Sequence, residues 1–327
     1  MLKDSSILIT GGTGSFGKAF VSRVLRQGPP RRLVVFSRDE QKQWEMEAAI
    51  REAGLDPAHC LRFFIGDVRD QSRLEIALHG IDTVVHAAAM KIVPTAEYNP
   101  FECILTNVHG AENVVKASLR AGVKRVVALS TDKAASPINL YGASKLAADK
   151  IMVAANNFAG GTCCRFAVVR YGNVVGSRGS VIPFFQRLIA DGAQSLPITD
   201  ERMTRFWITL EQGVDFVISS LSEMEGGEIF VPKIPSMKMV DLARALAPDL
   251  PHRIVGIRPG EKLHEVMVTE DDARATIERE DRYVILPFGD KRLTGNTAPR
   301  VAEDFRYASD TNTQWLDASG LEQMLAS

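Results

Sequence analysis

The stretch ILITGGTGSFG, residues 7–17, decides the fold of this chain. Its apolar start predicts a buried β-strand over Ile7–Ile9, and the residues after the turn predict a helix that continues to Arg26. The glycines allow a tight turn, a close approach of backbone N–H groups to a pyrophosphate, and close packing of the helix on the strand. A glycine-rich turn alone is a weak signal. A turn that follows a strand and opens a helix is typical of a dinucleotide site.

Outside this stretch, short apolar runs alternate with amphipathic helical runs through the amino-terminal half. This alternation indicates βαβ units and predicts an α/β fold, a Rossmann-type doubly wound parallel sheet. From Ser177 onward the predicted elements are shorter and mixed, and the Arg258–Lys262 turn is predicted to lead into a last helical segment. We expect an NADP-binding domain over residues 1–176 and a smaller mixed α/β substrate lobe over 177–327, with returns of strands or helices to the first domain. The tail after Pro287 shows no pattern apart from a short helix near Leu321.

Composition argues against several classes of function. The chain has 327 residues, 45% of them hydrophobic, which is enough for a large core. Its net charge of -1 argues against a nucleic-acid partner, since phosphate binding depends on clustered Lys and Arg. The four cysteines show no zinc or disulfide spacing, so no metal site is predicted. No signal peptide or membrane-spanning apolar stretch is present in this sequence, which favours a cytoplasmic protein without a membrane partner.

The stretch STDKAASPINLYGASK, residues 130–145, contains the candidate chemistry. It follows an apolar run and leads into a helical pattern, so a parallel sheet would present it at the carboxyl end of a strand. Tyr141 and Lys145 share one helix face, and a nearby ammonium lowers a tyrosine pKa from about 10 towards the working pH, which makes Tyr141 a usable base. That spacing alone is more often an ordinary surface pair. Asp132 and Lys133, one loop upstream, favour catalysis.

The ends of the next predicted strands supply candidate cofactor contacts. Ser37 and Arg38 follow the strand Leu33–Phe36, with Lys42 one helical turn later. NAD sites usually have an acidic residue here for the ribose hydroxyls, whereas a hydroxyl followed by Arg suits a 2′-phosphate. NADP is therefore favoured, and Asp39 keeps NAD as the alternative. Asp67 is placed to meet an adenine edge, and the alanines after the strand that ends at residue 86 would let a cofactor lie against backbone.

Polar residues at other strand ends and turns are candidate substrate contacts. Asn173 follows the predicted strand Cys164–Tyr171, although such an asparagine is also an ordinary turn residue. Arg205 and Arg258 are candidates for a diphosphate because guanidinium groups match phosphate oxygens. Either arginine alone is more often part of a surface salt bridge. Lys91 directly follows the alanines and is a further candidate.

Several motifs together resemble the extended short-chain dehydrogenase/reductases that act on nucleotide sugars. The motifs are TGGTGSFG (10–17), FSRDE (36–40), HAAAMK (86–91), STDKAASPINLYGASK (130–145), RYGNVVGS (170–177) and RPGEKLHE (258–265). They extend to about Glu280 and are similar to those of the inverting UDP-N-acetylglucosamine 4,6-dehydratases, which begin pseudaminic acid synthesis for flagellin glycosylation. The resemblance implies a hydro-lyase with a UDP-sugar substrate and a tightly held, recycled NADP. It also implies a homo-oligomer, dimer-based, with hexamers as a further form.

The resemblance also implies a role for each catalytic candidate. Water can be eliminated only if the C5–H is acidic, which requires prior oxidation at C4. Tyr141 would take the C4 hydroxyl proton, with Lys145 orienting the ribose. Lys133 would then be the base at C5, Asp132 the acid at the C6 hydroxyl, and Thr131 a ligand of the C4 oxygen. Many related dehydratases have Asp-Glu where this chain has Asp-Lys.

A lysine base must be neutral, against an ordinary pKa of about 10.4. Burial, Lys145 and the charged nicotinamide would lower the pKa of Lys133, and an ionised Asp132 would raise it. The candidate catalytic residues are Thr131, Asp132, Lys133, Tyr141 and Lys145. The candidate cofactor contacts are Gly11, Thr13, Gly14, Ser15, Phe16, Gly17, Ser37, Arg38, Lys42, Asp67, Val68, Ala87, Ala89, Leu129, Ser130, Tyr141, Lys145 and Val174. The candidate substrate contacts are Lys91, Thr131, Asn173, Val181, Thr199, Arg205, Arg258 and Glu261.

Three alternatives stay open at this point. A UDP-sugar 4-epimerase would use the same Tyr/Lys pair but needs no Asp132/Lys133 acid–base pair. A C5-retaining 4,6-dehydratase would use similar residues, and such relatives often have an amino-terminal membrane region that this sequence does not show. A non-catalytic NADP-binding scaffold is disfavoured because the candidate catalytic set is complete.

Overall fold

The computed structural model describes residues 2–55, 59–177, 179–293 and 299–326. The chain forms two compact units. The first comprises Met1–Ser130, Ser144–Val169 and Val214–Phe230, and the second comprises Thr131–Ala143, Arg170–Gly213 and Val231–Ser327. The boundary predicted at residue 176 stays a prediction, because these units divide the chain by interleaved segments.

The secondary structure alternates strands and helices in the first unit. The strands, in chain order, are β1 (Ser6–Thr10), β2 (Arg32–Ser37), β3 (Leu61–Ile65), β4 (Thr83–His86), β5 (Arg125–Thr131), β6 (Arg165–Tyr171), β7 (Asn173–Val174), β8 (Leu196–Ile198), β9 (Thr204–Ile208), β10 (Ile229–Pro232), β11 (Ser236–Lys238), β12 (His252–Ile254), β13 (Val266–Val268), β14 (Thr276–Glu278), β15 (Arg282–Ile285) and β16 (Tyr307–Ala308). The α-helices are α1 (Ser15–Gln27), α2 (Glu40–Glu52), α3 (Gln71–Ala77), α4 (Val93–Tyr98), α5 (Pro100–Ile104), α6 (Gly110–Ala121), α7 (Leu140–Phe158), α8 (Val181–Ala190), α9 (Leu210–Glu223), α10 (Met239–Leu246), α11 (Glu270–Ala273) and α12 (Ala318–Ala326). Short 3-10 helices cover Asp132–Ala134 and Lys291–Leu293, and a π-helical turn covers Leu105–His109.

A parallel sheet organises the first unit. Its strands lie in the order β10-β6-β5-β4-β1-β2-β3. The chain builds outward from β1 on one side and from β4 on the other, and β1 pairs in parallel with both β2 and β4. This reversal of strand order is the point at which doubly wound sheets bind ligands, beyond the carboxyl ends of the strands. The predicted α/β fold class is confirmed.

Hydrophobic burial explains why these residues form this sheet. Strands β1 and β4 are buried along their whole length, as expected for central parallel strands covered on both faces. Helix α1 is amphipathic and buries Phe20, Val21, Val24 and Leu25. Each fully buried side chain of this size contributes roughly 1.5–3 kcal/mol to folding. The apolar face of α1 therefore fixes the helix that follows the glycine turn.

The predicted single helix over Pro100–Ala121 is in fact interrupted. Helices α5 and α6 are joined by the π-helical turn, which buries Thr106 and Asn107. A π turn adds a residue to one turn of the helix and changes the direction of the side chains within it, and such turns are frequent at functional sites. Helix α6 then ends at Gly122, whose φ of 72° is the left-handed conformation common at helix ends.

The second unit contains small sheets around its own core. Its strand pairs include β11-β9-β7, β12-β8, β13-β16 and the antiparallel β14-β15 hairpin. A cluster of buried side chains around Trp207 joins α8, α10 and α12, with Phe185, Leu242 and Leu321 among its members. The predicted helix near Leu321 is therefore confirmed as α12.

One predicted element of the second unit is wrong. The Arg258–Lys262 turn does not lead into a helix but into strand β13, which pairs with β16 in the carboxyl-terminal tail. The buried run Val266–Val268 is extended because its partner strand lies far along the chain, and local patterning gives no sign of that partner. Among the helices of the described ranges, none has the length and apolarity needed to cross a membrane.

Candidate active site

In the first unit, the glycine turn lies directly against the loop that follows β4. Gly11 has a φ of 64°, a left-handed conformation that favours glycine, and its N–H donates to the Phe36 carbonyl at 2.9 Å. A Cβ at Gly11 would lie 2.9 Å from the Ala88 Cα. Gly14 caps α1 without a side-chain hydrogen bond. Because the first amides of a helix have no acceptor within it, this turn fits a phosphate group.

A buried polar pair supports the turn from behind. The Thr10 Oγ1 and His86 Nδ1 atoms are 2.8 Å apart, and the same hydroxyl accepts the N–H groups of Ala87 and Ala88, each at 3.2 Å. Burial, followed by the ammonium of Lys145, lowers the pKa of His86 to about 3. The imidazole is therefore neutral at physiological pH. Sequence reasoning gave His86 no role, because a histidine that ends an apolar strand gives no functional signal.

Arg38 follows β2 and has little to hold it. Its side chain is 62% exposed, and its nearest carboxylate oxygen, on Asp67, is 3.6 Å away. Arg69 contacts Asp67 more closely, at 2.7 Å. Desolvation favours a higher pKa for Asp67, but the hydrogen bonds from Arg69 outweigh it and the pKa is lowered. Asp67 is thus a carboxylate paired mainly with Arg69, which leaves the Arg38 guanidinium able to bind a 2′-phosphate.

The other two predicted contacts of the 2′-phosphate are already engaged. The Lys42 Nζ atom lies 2.6 Å from Asp39, and Asp39 also caps α2 by accepting the Lys42 N–H. The Ser37 hydroxyl accepts a hydrogen bond from Gln43 at 3.0 Å. Of this group, Arg38 is therefore the side chain that best fits the role.

Lys145 is buried on α7 and is held by the end of β5. Its Nζ atom donates to the Leu129 carbonyl at 2.6 Å, and the Ser130 hydroxyl donates to Asp149 at 2.7 Å. Burial lowers the pKa of Lys145, with Asp149 acting in the opposite direction. Residues Leu129 and Ser130 thus fix the helix that contains both Lys145 and Tyr141.

The remaining cofactor candidates of the first unit line the same strand ends. Val68 is buried and packs over Gly110, where a Cβ would lie 2.9 Å from the Val68 side chain. Lys91 lies in the loop between β4 and α4, and desolvation lowers its pKa. Three further candidates, Thr13, Ser15 and Phe16, lie in the glycine turn and the start of α1, and Ala87 and Ala89 follow β4.

In the second unit, three consecutive candidates converge on one hydrogen-bonded cluster. Thr131 ends β5, and its Oγ1 donates to Asp132 Oδ1 at 2.9 Å. The Lys133 Nζ atom donates to the same oxygen at 3.0 Å and to Asn173 Oδ1 at 3.5 Å. Asp132 is fully buried, and its second oxygen has no hydrogen-bond partner among the described residues. This arrangement places a buried carboxyl group and an amine side by side, as acid–base chemistry requires.

A second carboxylate, which sequence reasoning missed, also contacts Lys133. Glu265 is 1% exposed, and its Oε1 lies 3.2 Å from the Lys133 Nζ atom. Burial lowers the pKa of Lys133, but Asp132 and Glu265 together outweigh burial and the opposing charge of Arg205, so the pKa is raised. The expected lowering is therefore wrong for the protein alone. The amine is held as an ammonium.

Tyr141 lies in the first turn of α7, next to the cluster along the chain. A Cβ at Gly142 would overlap the Lys133 carbonyl oxygen, so glycine is required where the helix begins. The Gly142 N–H donates to Asn139, and Asn139 in turn donates to the Gly260 carbonyl, both at 2.7 Å. Burial and the neighbouring Tyr141 raise the pKa of Tyr171. The predicted helix that contains the Tyr/Lys pair is confirmed.

Arg205 and Arg258 have different surroundings. Arg205 is buried, and its guanidinium donates to the carbonyls of Thr204, Lys262 and Leu263 at 2.7–3.0 Å. Arg258 is 68% exposed, with Glu261 at 3.5 Å. Arg258 is therefore the better candidate for a diphosphate. Three other candidates lie in neighbouring elements: Val174 in β7, Val181 at the start of α8 and Thr199 after β8.

The sequence matches the model of the polysaccharide biosynthesis protein family over residues 7–287. The chain belongs to this family. A relative from Campylobacter jejuni subsp. jejuni serotype O:2, named UDP-N-acetylglucosamine 4,6-dehydratase (inverting), is 55% identical over 334 residues, which cover 99% of this chain and 98% of the relative.

Solved structures show similarity to this polysaccharide biosynthesis protein over most or all of its length. The X-ray structure of Pen from Bacillus thuringiensis has a TM-score of 0.89 and 36% identity, covering 100% of this chain and 98% of that chain. The structure of DesIV, a dTDP-glucose 4,6-dehydratase from Streptomyces venezuelae with NAD and TYD bound, has a TM-score of 0.69 and 27% identity, covering 79% and 86%.

The π-helical turn gives this polysaccharide biosynthesis protein another residue that sequence reasoning did not assign. The Asn107 side chain accepts the Met90 N–H at 2.8 Å and donates to the Met90 carbonyl at 3.0 Å and to Ser144 Oγ at 2.9 Å. Asn107 thus ties the residue before Lys91 to the helix that contains Lys145. A buried asparagine in a predicted helix is a detectable signal, but its partners are not.

Proposed function

We propose that this chain is a C5-inverting UDP-N-acetylglucosamine 4,6-dehydratase, a hydro-lyase. The product would be UDP-2-acetamido-2,6-dideoxy-β-L-arabino-hex-4-ulose, a precursor for pseudaminic acid synthesis and flagellin glycosylation. The observation that carries the proposal is the buried Asp132–Lys133 pair, 3.0 Å apart, in the loop that leads to Tyr141. Oxidation and reduction at C4 alone would not need this pair. The name of the Campylobacter jejuni relative supports the same substrate.

The proposed cofactor is a tightly held, recycled nicotinamide dinucleotide, with NADP favoured over NAD. The amides at the start of α1 would hold its pyrophosphate, and Arg38 would bind the 2′-phosphate. The absence of a Cβ at Gly11 and Gly14 leaves room for close backbone approach. When bound, the nicotinamide would accept hydride from C4 of the sugar and return it to C6. The NAD in the DesIV structure supports a nicotinamide cofactor, and the exposed Arg38 favours the phosphorylated form.

The chain's own residues would handle the protons. Tyr141 would take the proton of the C4 hydroxyl, and Thr131 would bind the resulting C4 oxygen. Lys133 would remove the C5 proton, which the C4 ketone makes acidic. Asp132 would protonate the departing C6 hydroxyl, and C5 would later regain a proton on the opposite face.

Because Lys133 is held as an ammonium, it must lose a proton before it can act. Asp132 must gain one before it can act as an acid. A proton that moves from the Lys133 Nζ atom to Asp132 Oδ1, along their 3.0 Å hydrogen bond, would meet both needs at once. The pair would then contain the neutral base and the protonated acid without a net change in charge.

The proposal is tested by the products formed from UDP-N-acetylglucosamine in deuterium oxide. We expect a 4-keto-6-deoxy sugar nucleotide with deuterium at C5, and NMR coupling constants should give the inverted configuration at that carbon. The label enters because C5 loses its proton to the enzyme and regains one from solvent.

Each alternative gives a different result. A 4-epimerase would return unlabelled UDP-N-acetylgalactosamine, and a retaining dehydratase would give the labelled keto sugar with the original C5 configuration. A scaffold protein would leave the substrate unchanged. Any of these three results would contradict the proposed function.

A further inference from the structure

The Lys133 amine is surrounded by three acceptors. Asp132 Oδ1, Glu265 Oε1 and Asn173 Oδ1 lie 3.0, 3.2 and 3.5 Å from its Nζ atom. An ammonium group has three N–H donors. The arrangement therefore satisfies a charged lysine in full, and Glu265 is the member of this set to which the proposed mechanism gives no role.

The main chain fixes the Glu265 carboxylate in place. The Glu265 N–H donates to Ser309 Oγ at 2.9 Å, and the Ser309 N–H donates to the Glu265 carbonyl at 2.8 Å. Strand β13 begins at the next residue and packs against the 3-10 helix Asp132–Ala134. An apolar contact of Ala135 with Val266 and Ala308 holds the two segments together. Glu265 is thus positioned independently of Lys133.

Two cations face Glu265 from the side away from Lys133. The Lys262 Nζ atom is 3.6 Å from Glu265 Oε2, and the Arg205 Nε atom is 3.8 Å from Oε1. Arg205 also faces Glu261, at 3.7 Å. Within the described chain, Glu265 Oε2 is buried without a hydrogen bond. The charged groups around the Lys133 amine therefore come from its own loop, from β9 and from the Arg258–Glu265 segment.

We propose that Glu265 is a positioning residue for Lys133, whose carboxylate fixes the place of the amine and determines the pH at which the amine becomes a base. The role in turnover rests on the proposed function. In the resting protein Glu265 stabilises the ammonium, while Lys262 and Arg205 weaken this effect by partly neutralising the carboxylate. A base that must be neutral works better as pH rises through its pKa, so Glu265 moves the acid side of the pH profile upward.

Two substitutions should move the profile in opposite directions. Glu265→Gln removes an anion 3.2 Å from the amine, so the acid side of the kcat profile should shift to lower pH by at least about one unit, the effect of one charge at this distance in water. Lys262→Met removes the cation that offsets Glu265, so the profile should shift to higher pH. A purely structural role would lower kcat in both variants without moving the profile. Glu265→Asp, which keeps the charge, should restore the wild-type position.

A second readout does not need turnover. Competitive labelling of the cofactor-loaded protein with acetic anhydride across pH, followed by mass spectrometry, gives the titration of the Lys133 amine. Glu265→Gln should shift this titration to lower pH and Lys262→Met to higher pH. If one variant does not fold, the other still tests the sign.

The control is Glu278→Gln, which removes a carboxylate that pairs with Lys233 at 2.8 Å in the same unit and should leave the Lys133 titration unchanged. An unmoved Lys133 titration in the folded Glu265→Gln or Lys262→Met protein overturns the inference. If the titration moves as expected but no keto sugar is formed by the wild type, the proposed function fails and the effect of Glu265 on Lys133 stands.

Discussion

At the scale of single residues, Lys133 shows how one distant carboxylate reverses an electrostatic expectation. Burial alone would lower its pKa, and the neighbouring Asp132 is visible in the sequence. Glu265 is not, because it reaches the amine only through the folding of a segment far along the chain. The motif RPGEKLHE contains Glu265, but nothing in the motif indicates which lysine the glutamate faces. The type of chemistry at this position was predictable, and the charge of the resting amine was not.

Replacing Lys133 with alanine should stop elimination. We expect turnover to fall by at least about 100-fold, the usual lower contribution of a general base, while cofactor content stays near that of the wild type. The rate of keto-sugar formation and the absorbance of the bound nicotinamide measure the two effects. Lys150→Ala, an exposed change on α7, is the matched control and should retain the wild-type rate. Undiminished turnover in Lys133→Ala would remove this residue from the mechanism.

Arg38→Ala should weaken NADP binding far more than NAD binding. A charge-assisted hydrogen bond contributes about 1.5–3 kcal/mol, which corresponds to a loss of roughly 10- to 100-fold in affinity. Titration of the cofactor-free protein with each dinucleotide, followed by fluorescence, gives both constants. Arg51→Ala, at the far end of α2, should change neither. Equal losses for both dinucleotides in Arg38→Ala would contradict the 2′-phosphate role.

At the scale of elements, the sequence predicts those that local patterning defines. The strand–turn–helix around Gly11 and the long helix that begins at residue 140 follow from apolar periodicity and glycine placement, and both are present. The π-helical turn at Leu105–His109 was missed because it differs from an α-helix by one residue in a single turn. Strands β13 and β16 were missed because each is short and is stabilised by the other.

Gly142→Ala tests the fit between α7 and the loop that contains Lys133. The added Cβ would overlap the Lys133 carbonyl, so we expect a loss of about 1–3 kcal/mol in the free energy of unfolding together with reduced turnover. Urea denaturation and the keto-sugar assay measure both effects. The same change at Gly213 in α9, where nothing lies within 4 Å of the new atom, should instead stabilise the protein by roughly 0.5–1 kcal/mol. Equal stabilities for the two variants would show that the Lys133 loop adapts freely.

At the scale of the whole molecule, the compact units are built from interleaved segments, which the sequence does not reveal. Residues 214–230 return to the first unit, where Asp215 forms an ion pair with Arg23 at 2.8 Å. Composition does not change where the chain passes from one unit to the other. Membership in a unit depends on such long-range contacts, so a boundary drawn from local patterning has no direct physical basis.

The stability of the molecule should depend on the protonation of His86. Its pKa in the folded protein is about 3, well below the value of about 6.5 for an exposed histidine. As pH falls below about 6.5 the unfolded chain binds a proton that the folded chain refuses, so the free energy of unfolding should decrease from there towards pH 3. Urea midpoints measured between about pH 7.5 and about pH 5 test this dependence.

His86→Gln should reduce the slope of stability against pH in that range, because the variant has no imidazole to protonate. His79→Gln changes an exposed histidine and should leave the slope unchanged. A His86→Gln protein with the full wild-type slope would assign the dependence to other groups.

The backbone link between Glu265 and Ser309 has a practical consequence for anyone who trims this protein. The region shared with the family ends at residue 287, yet the bracket for the carboxylate beside the reactive lysine comes from residue 309. A shortened version cut at the edge of the shared region would keep every motif residue and still lose the support of the reactive amine. Crystallisation and fusion designs should therefore treat the last strand as part of the catalytic apparatus.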